Sequence, residues 1–156
     1  MKNQRGATLI EILVTVLVLA VGLLGLGATQ MVSLKNGNNA NVTYFATLAA
    51  YDIAERMRIN PLGVENGAYD ATDVDGNQTP KSCVSGICST LELAAMDLYE
   101  WGQTLSANLP EGKGTIAIDD GEATITVNWT EQHTGENYGK STGGAEEKSF
   151  EMVAEL

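Results

Sequence analysis

The N-terminal part of the chain is an almost unbroken apolar block. No charged residue lies between Glu11 and Lys35, and most of the positions between them are aliphatic. About 20 apolar residues in a helix are enough to cross the ~30 Å hydrocarbon core of a membrane. The pattern therefore predicts a membrane-spanning helix near the N-terminus.

The apolar block continues into an amphipathic pattern. After Lys35 the apolar positions recur at spacings of three and four, which is typical of a helix with one buried face. They are Val42, Phe45, Ala49, Ile53 and Met57. Because a residue before proline avoids helical angles, Asn60-Pro61 should end the pattern. One helix is thus predicted from about Thr8 to Ile59.

A second, shorter helix is predicted beyond a loop. Residues 62–82 are rich in Gly, Asp and Asn, which indicates an irregular segment. Ser89 and Glu92 have the spacing of a capping box, which opens a helix. The predicted buried stripe of this helix consists of Leu91, Ala94, Leu98, Trp101 and Leu105.

After Pro110 the apolar period changes from helical to two, which is typical of strands. Asp120-Gly121 predicts a tight turn between the first two strands, and a polar loop at 132–147 precedes the third. The alternating positions are Ile116, Ile118, Ile125, Val127, Trp129, Phe150, Met152, Ala154 and Leu156. Three antiparallel strands with one apolar face need a cover. With the long helix as that cover, the predicted fold class is α+β.

Charge is distributed asymmetrically along the chain. The net charge is −11, with Lys2 and Arg5 ahead of the apolar block and nearly all acidic residues after it. Positive flanks stay on the cytoplasmic side, so residues from Lys35 onward should face away from the cytoplasm. An acidic surface argues against direct nucleic-acid binding, which needs a basic footprint.

The chain offers little for catalysis or metal binding. Cys83 and Cys88 predict one structural disulfide in an oxidising compartment, because a metal site would need two more soft ligands and the sequence adds only His133. His133 stands alone in a polar loop and is interpreted as solvated. None of the catalytic motifs GxSxG, HExxH, P-loop or GxGxxG after a strand occurs. No enzyme, metal or cofactor is predicted.

An acidic turn invites a calcium interpretation. It contains Asp70, Asp73, Asp75 and Asn77. With Gly76 in the glycine position of an EF-hand, Ala71 and Ser82 would be the first and twelfth ligands, which they cannot be. A solvated acidic turn is the favoured interpretation.

The apolar block by itself allows a cleaved signal peptide, with a small-residue site near residues 25–28, or an uncleaved signal anchor. Arg5-Gly6-Ala7-Thr8-Leu9-Ile10-Glu11, however, resembles the leader of type IV pilins and pseudopilins. That resemblance implies cleavage between Gly6 and Ala7 by a prepilin peptidase, N-methylation at Ala7 and an assembly role for Glu11. Ala7 departs from the usual phenylalanine, which bears on methylation more than on cleavage.

Physical chemistry offers a use for Glu11. A carboxylate within a membrane helix costs on the order of 2.5–3.5 kcal/mol on insertion scales. Cleavage would create a positive α-amine at Ala7, four residues away, and pairing with an opposite charge makes a buried charge tolerable. The amine of one subunit could equally pair with Glu11 of a neighbour.

Further segments resemble the PilV family of minor pilins: LAAYDIAERMRINP at 48–61, the cysteine pair, LAAMDLYEW at 93–101 and Leu109-Pro110-x-Gly112. The resemblance implies a leader at 1–6, a membrane and filament-core helix half at 7–34 and a periplasmic or extracellular globular domain at 35–156, of which 35–60 is the amphipathic helix half. It also implies the type IV pilin fold.

The function implied is a minor pilin that primes pilus assembly at the inner membrane and forms part of the tip complex. Other minor pilins, the major pilin and a tip adhesin would be its partners, and motility, adhesion or DNA uptake its outcome. A type II secretion pseudopilin and a plain signal-anchored periplasmic binding domain are the alternatives.

Overall fold

The computed structural model describes residues 8–79, 83, 86, 88–132 and 145–156. Its elements follow the order α1 Leu9–Ile59, α2 Pro61–Glu65, β1 Ala71–Val74, α3 Thr90–Asn108, β2 Lys113–Asp119, β3 Glu122–Gln132 and β4 Ala145–Glu155. The chain divides into two compact units, residues 1–37 and residues 38–156. Within the first unit the described residues belong almost entirely to α1.

The second unit is built on a four-stranded antiparallel sheet in the order β1-β2-β3-β4. The β2–β3 turn is tight because Asp120 and Gly121 both have positive φ, at 50° and 86°, as a two-residue hairpin requires. A single hydrophobic core joins the buried face of α1 to α3 and to one face of the sheet. The predicted α+β fold, a long N-terminal helix packed on an antiparallel sheet with a short helix, is confirmed.

The helical predictions agree closely with the structure. Helix α1 ends at Ile59, and Val42, Ala49, Ile53 and Met57 of the predicted stripe are buried while Phe45 is partly buried. Ser89 caps α3 through a capping box with Glu92. One stripe position is wrong: Leu91, in the first turn of α3, is 54% exposed.

The predicted irregular segment at 62–82 is only partly correct. It contains most of α2 and also β1, so the sheet has four strands and the prediction of three strands is wrong. Pro61 both ends α1 and begins α2, since proline is well suited to the first position of a helix. Strand β1 has four residues and a register irregularity against β2, so it is too short for a period-two signal. Strands β3 and β4 also extend into the predicted 132–147 loop.

Candidate functional site

The first candidate site is the apolar start of α1. Residues 9–31 are all exposed in the structure, including Leu9 at 84% and Leu24 at 75%. By length and composition, α1 is the one helix among the described residues that could cross a membrane. It is apolar on every side in this stretch, so it requires an apolar environment around it and not on one face only.

Glu11 lies in the first turn of this helix. The backbone N–H groups of Glu11 and Ile12 both donate to the carbonyl of Thr8, at 3.0 and 3.2 Å, and Thr15 Oγ1 donates to the Glu11 carbonyl at 2.6 Å. The carboxylate therefore stands at the positive end of the helix dipole. Gly6 and Ala7, the predicted cleavage and methylation positions, lie outside the described residues.

The second candidate is the segment at 48–61, whose polar residues form one connected network in the folded unit. Arg56 donates from Nε to Asp52 at 2.9 Å and from Nη1 to Glu100 at 2.7 Å and Asp97 at 3.1 Å. Since Asp97 and Glu100 belong to α3, Arg56 fastens α3 to α1. The indole N–H of Trp101 adds a 2.9 Å hydrogen bond to the carbonyl of Ala49.

Asn60 and Tyr69 extend this network into the core. Asn60 Nδ2 donates to the carbonyl of Thr90 at 2.8 Å and to Tyr69 Oη at 3.2 Å. Tyr69 in turn donates to Asp97 Oδ2 at 2.6 Å. Burial, with that hydrogen bond to Asp97, raises the pKa of the Tyr69 phenol. The buried polar groups are thus satisfied by one another, and the segment stabilises the fold without exposing a reactive group.

Sequence reasoning did not identify Asp97 or Tyr69 as members of this network. A signal for Asp97 existed: it lies between Ala94 and Trp101 on the same apolar stripe of α3, and a carboxylate on a buried stripe demands a partner. Tyr69 had no such signal, because it lies in a segment without periodicity. Its contact with Asp97 arises only when α3 folds onto the turn that contains it.

The acidic turn does not form a ligand cluster. Asp70 Oδ1 accepts from the N–H of Ile118 at 2.9 Å, and Asp75 accepts from both the backbone and the side chain of Asn77, which lowers the pKa of that carboxyl. Asp73 is 3.9 Å from the Lys113 ammonium. Within the described part of the chain no group of three His, Cys, Asp or Glu side chains is placed to hold a metal ion.

The cysteines form a disulfide. Cys83 and Cys88 are bonded, with their Cα atoms 5.5 Å apart, and the bridge ends one residue before the α3 cap. His133 lies outside the described residues. The disulfide closes a short loop and leads directly into Ser89, so its place in the fold is structural.

A concavity of about 520 Å³ beside the acidic turn has a mixed polar lining that includes Asp75, Glu111, Lys113 and Trp129. The indole of Trp129 is only 4% exposed and donates to Glu131 at 2.9 Å. It is therefore not available to stack on a ligand. Among the other lining residues, the hydroxyl of Thr130 donates to Glu111 Oε2 at 2.7 Å, on the exposed side of the sheet.

In the comparison with known families, the model of the prokaryotic N-terminal methylation motif fits residues 1–27. No curated protein and no solved structure matches the chain. The matched residues contain the basic leader, Gly6, Ala7, Glu11 and the first part of the exposed apolar helix. The chain thus carries a type IV pilin-like leader, which is typical of membrane-anchored structural proteins of pili and pseudopili.

Proposed function

We propose that this chain is a minor pilin of the type IV pilus. The observation that carries the proposal is the leader motif at residues 1–27, followed directly by an exposed apolar helix with a single carboxylate in its first turn. In this proposal the chain crosses the inner membrane once, and its globular domain lies in the periplasm because Lys2 and Arg5 precede the apolar block. Processing then transfers it into the pilus.

Cleavage between Gly6 and Ala7 would give Glu11 its partner. The new α-amine would lie four residues from Glu11 in its own chain, or beside Glu11 of a neighbouring subunit, at a depth where neither charge is stable alone. If the pairing is between subunits, the α-amine of one subunit would neutralise Glu11 of its neighbour in the filament. This is the assembly role proposed for Glu11, with N-methylation at Ala7.

The minor role is supported by the resemblance of residues 48–61 and 93–101 to the PilV family. In the structure, hydrogen bonds from these two segments connect α3 to α1. The resemblance therefore concerns the residues that hold these two helices together, here called the frame of the domain. We propose that this frame joins other minor pilins to prime assembly and stays near the tip with an adhesin. Adhesion, twitching motility or DNA uptake would depend on it.

The test is the N-terminal mass of the mature protein after co-expression with a prepilin peptidase. Loss of Met1–Gly6 is expected, with Ala7 or methylated Ala7 as the new terminus, and Gly6→Leu should remain uncut. An intact leader on the parent chain would instead favour a plain signal-anchored domain.

A second measurement addresses assembly. Glu11→Gln, which removes the charge and keeps the shape, should be cleaved normally but fail to co-purify with partner pilins. Normal assembly of Glu11→Gln would disprove the charge-pairing role. Deletion of the gene distinguishes a type IV pilus from a type II secretion pseudopilus. Loss of surface pili would support the pilus proposal. Normal pili together with secreted proteins that stay inside the cell would assign the chain to the pseudopilus.

A further inference from the structure

The outer edge of β4 is a long strand edge. Strand β4 comprises Ala145–Glu155 and lies at the end of the sheet, paired with β3 on one side. No other described strand pairs with it. An edge of this length presents a row of backbone donors and acceptors that can accept another strand.

Two contacts show which backbone groups face outward. The N–H of Leu156 donates inward to the carbonyl of Gly121 at 3.1 Å. The carbonyl of Glu155 instead points away from β3, because it accepts from Nε and Nη2 of Arg58 at 3.3 and 3.1 Å. Since adjacent residues of an antiparallel strand alternate in direction, the outward groups belong to positions 145, 147, 149, 151, 153 and 155.

Side chains at three of these positions give this edge a negative charge. Glu147, Glu151 and Glu155 are exposed, and no basic residue shares their face of β4. Lys148 points to the opposite face and is paired with Glu146 at 2.9 Å. The β3 residues opposite Glu147 and Glu151 are Thr130 and Thr126, so they offer no compensating charge.

A groove of about 320 Å³ follows the C-terminal half of this edge. Its walls are Tyr51, Ala54 and Arg58 of α1 and residues 152–155 of β4. Tyr51 and Val153 are each 56% exposed, so an added strand could bury apolar surface there. Arg58, which also contacts Glu55, donates to the last outward carbonyl, that of Glu155. This contact marks the C-terminal end of the stretch that an added strand could pair with.

We propose that the outer edge of β4 binds an extended, basic segment of a partner protein by strand addition. Backbone hydrogen bonds to the odd positions supply affinity, and alternate basic side chains opposite Glu147 and Glu151 supply specificity. A second copy of this chain fits poorly, because edge-to-edge pairing would bring two rows of glutamates together. This inference concerns the edge of the second unit and does not depend on leader cleavage.

The test uses the full chain in nonionic detergent micelles and a fluorescent synthetic peptide in which lysine alternates with threonine. Binding is measured by anisotropy, against a counterpart with glutamate in place of each lysine. The lysine peptide should bind, and the glutamate peptide at least tenfold more weakly. Raising the salt concentration should weaken the difference, because exposed charges are screened.

Val153→Pro separates strand addition from simple charge attraction. It removes an outward N–H and leaves the β3 ladder intact. It should weaken binding at least tenfold, while Val153→Thr, which keeps the N–H and the side-chain shape, should stay within about twofold. A folded Val153→Pro that binds like the parent would overturn the proposal.

Charge reversal gives a result that loss of folding cannot explain. A Glu147→Lys/Glu151→Lys double variant should prefer the glutamate peptide, a gain that unfolding cannot produce. An unchanged preference would contradict the proposed specificity. Sedimentation of the parent chain tests for self-association. If the parent chain self-associates and Val153→Pro abolishes this, the edge binds a second copy, and the proposal of a basic partner is refuted.

Discussion

Two stretches of the same helix meet opposite environments. Residues 9–31 of α1 are all exposed, whereas Ala46, Ile53 and Met57 farther along are completely buried. Both stretches are rich in aliphatic side chains, but only the second interleaves them with polar residues. A helix covered by its own chain therefore needs only one apolar face, whereas a helix that is apolar all round must be surrounded by another apolar medium or by other chains.

Truncation of one aliphatic side chain in each stretch should have very different effects on stability. Ile53→Ala should lower the free energy of unfolding of the second unit by about 2–5 kcal/mol, because it leaves a cavity in the core. Leu17→Ala, at a position 60% exposed, should change it by less than about 0.5 kcal/mol. Urea unfolding of both variants in micelles measures the difference, and equal losses would contradict it.

Glycines provide the next test. A Cβ at Gly114 would lie 2.1 Å from Trp101 Cη2, whereas one at Gly25 would meet nothing within 4 Å. Gly114→Ala should therefore destabilise the second unit by about 1–3 kcal/mol through overpacking. Gly25→Ala should leave that unit unchanged and favour the helix by about 1 kcal/mol, visible as higher helicity in far-UV circular dichroism. A more stable Gly114→Ala variant would show that there is room for a methyl group between Gly114 and Trp101.

The third test concerns pH. Burial raises the pKa of Tyr69 above its ordinary value, so its contribution to stability is complete below about pH 10, the pKa of an unperturbed tyrosine. Above that pH the unfolded chain loses the proton first. Stability should then fall by about 1.4 kcal/mol per pH unit from this group, until the folded pKa is reached.

Tyr69→Phe should remove that alkaline slope, as read from unfolding midpoints across the alkaline range. The matched control is Tyr44→Phe, on the exposed side of α1 at 60% exposure, which should keep the slope of the parent chain. The same slope in Tyr69→Phe would mean that other groups cause the alkaline loss.

Local rules predicted much of this protein. The limits of α1, the capping box at Ser89 and the turn at Asp120-Gly121 follow from proline geometry, side-chain capping and positive φ, all of which act within a few residues. The exposure of the apolar block and the position of Glu11 in its first turn could likewise be predicted from the sequence, because they depend on local composition and not on contacts with distant residues.

The contacts between polar residues depend on long-range packing. Arg56 reaches Asp97 across 41 positions and Tyr69 reaches Asp97 across 28, and no periodicity encodes such a contact. Strand β1 exists because β2 is there to pair with it, and the outward direction of the β4 edge became visible through Arg58. Sequence periodicity reports which face of an element is apolar, whereas long-range packing determines which partner covers it.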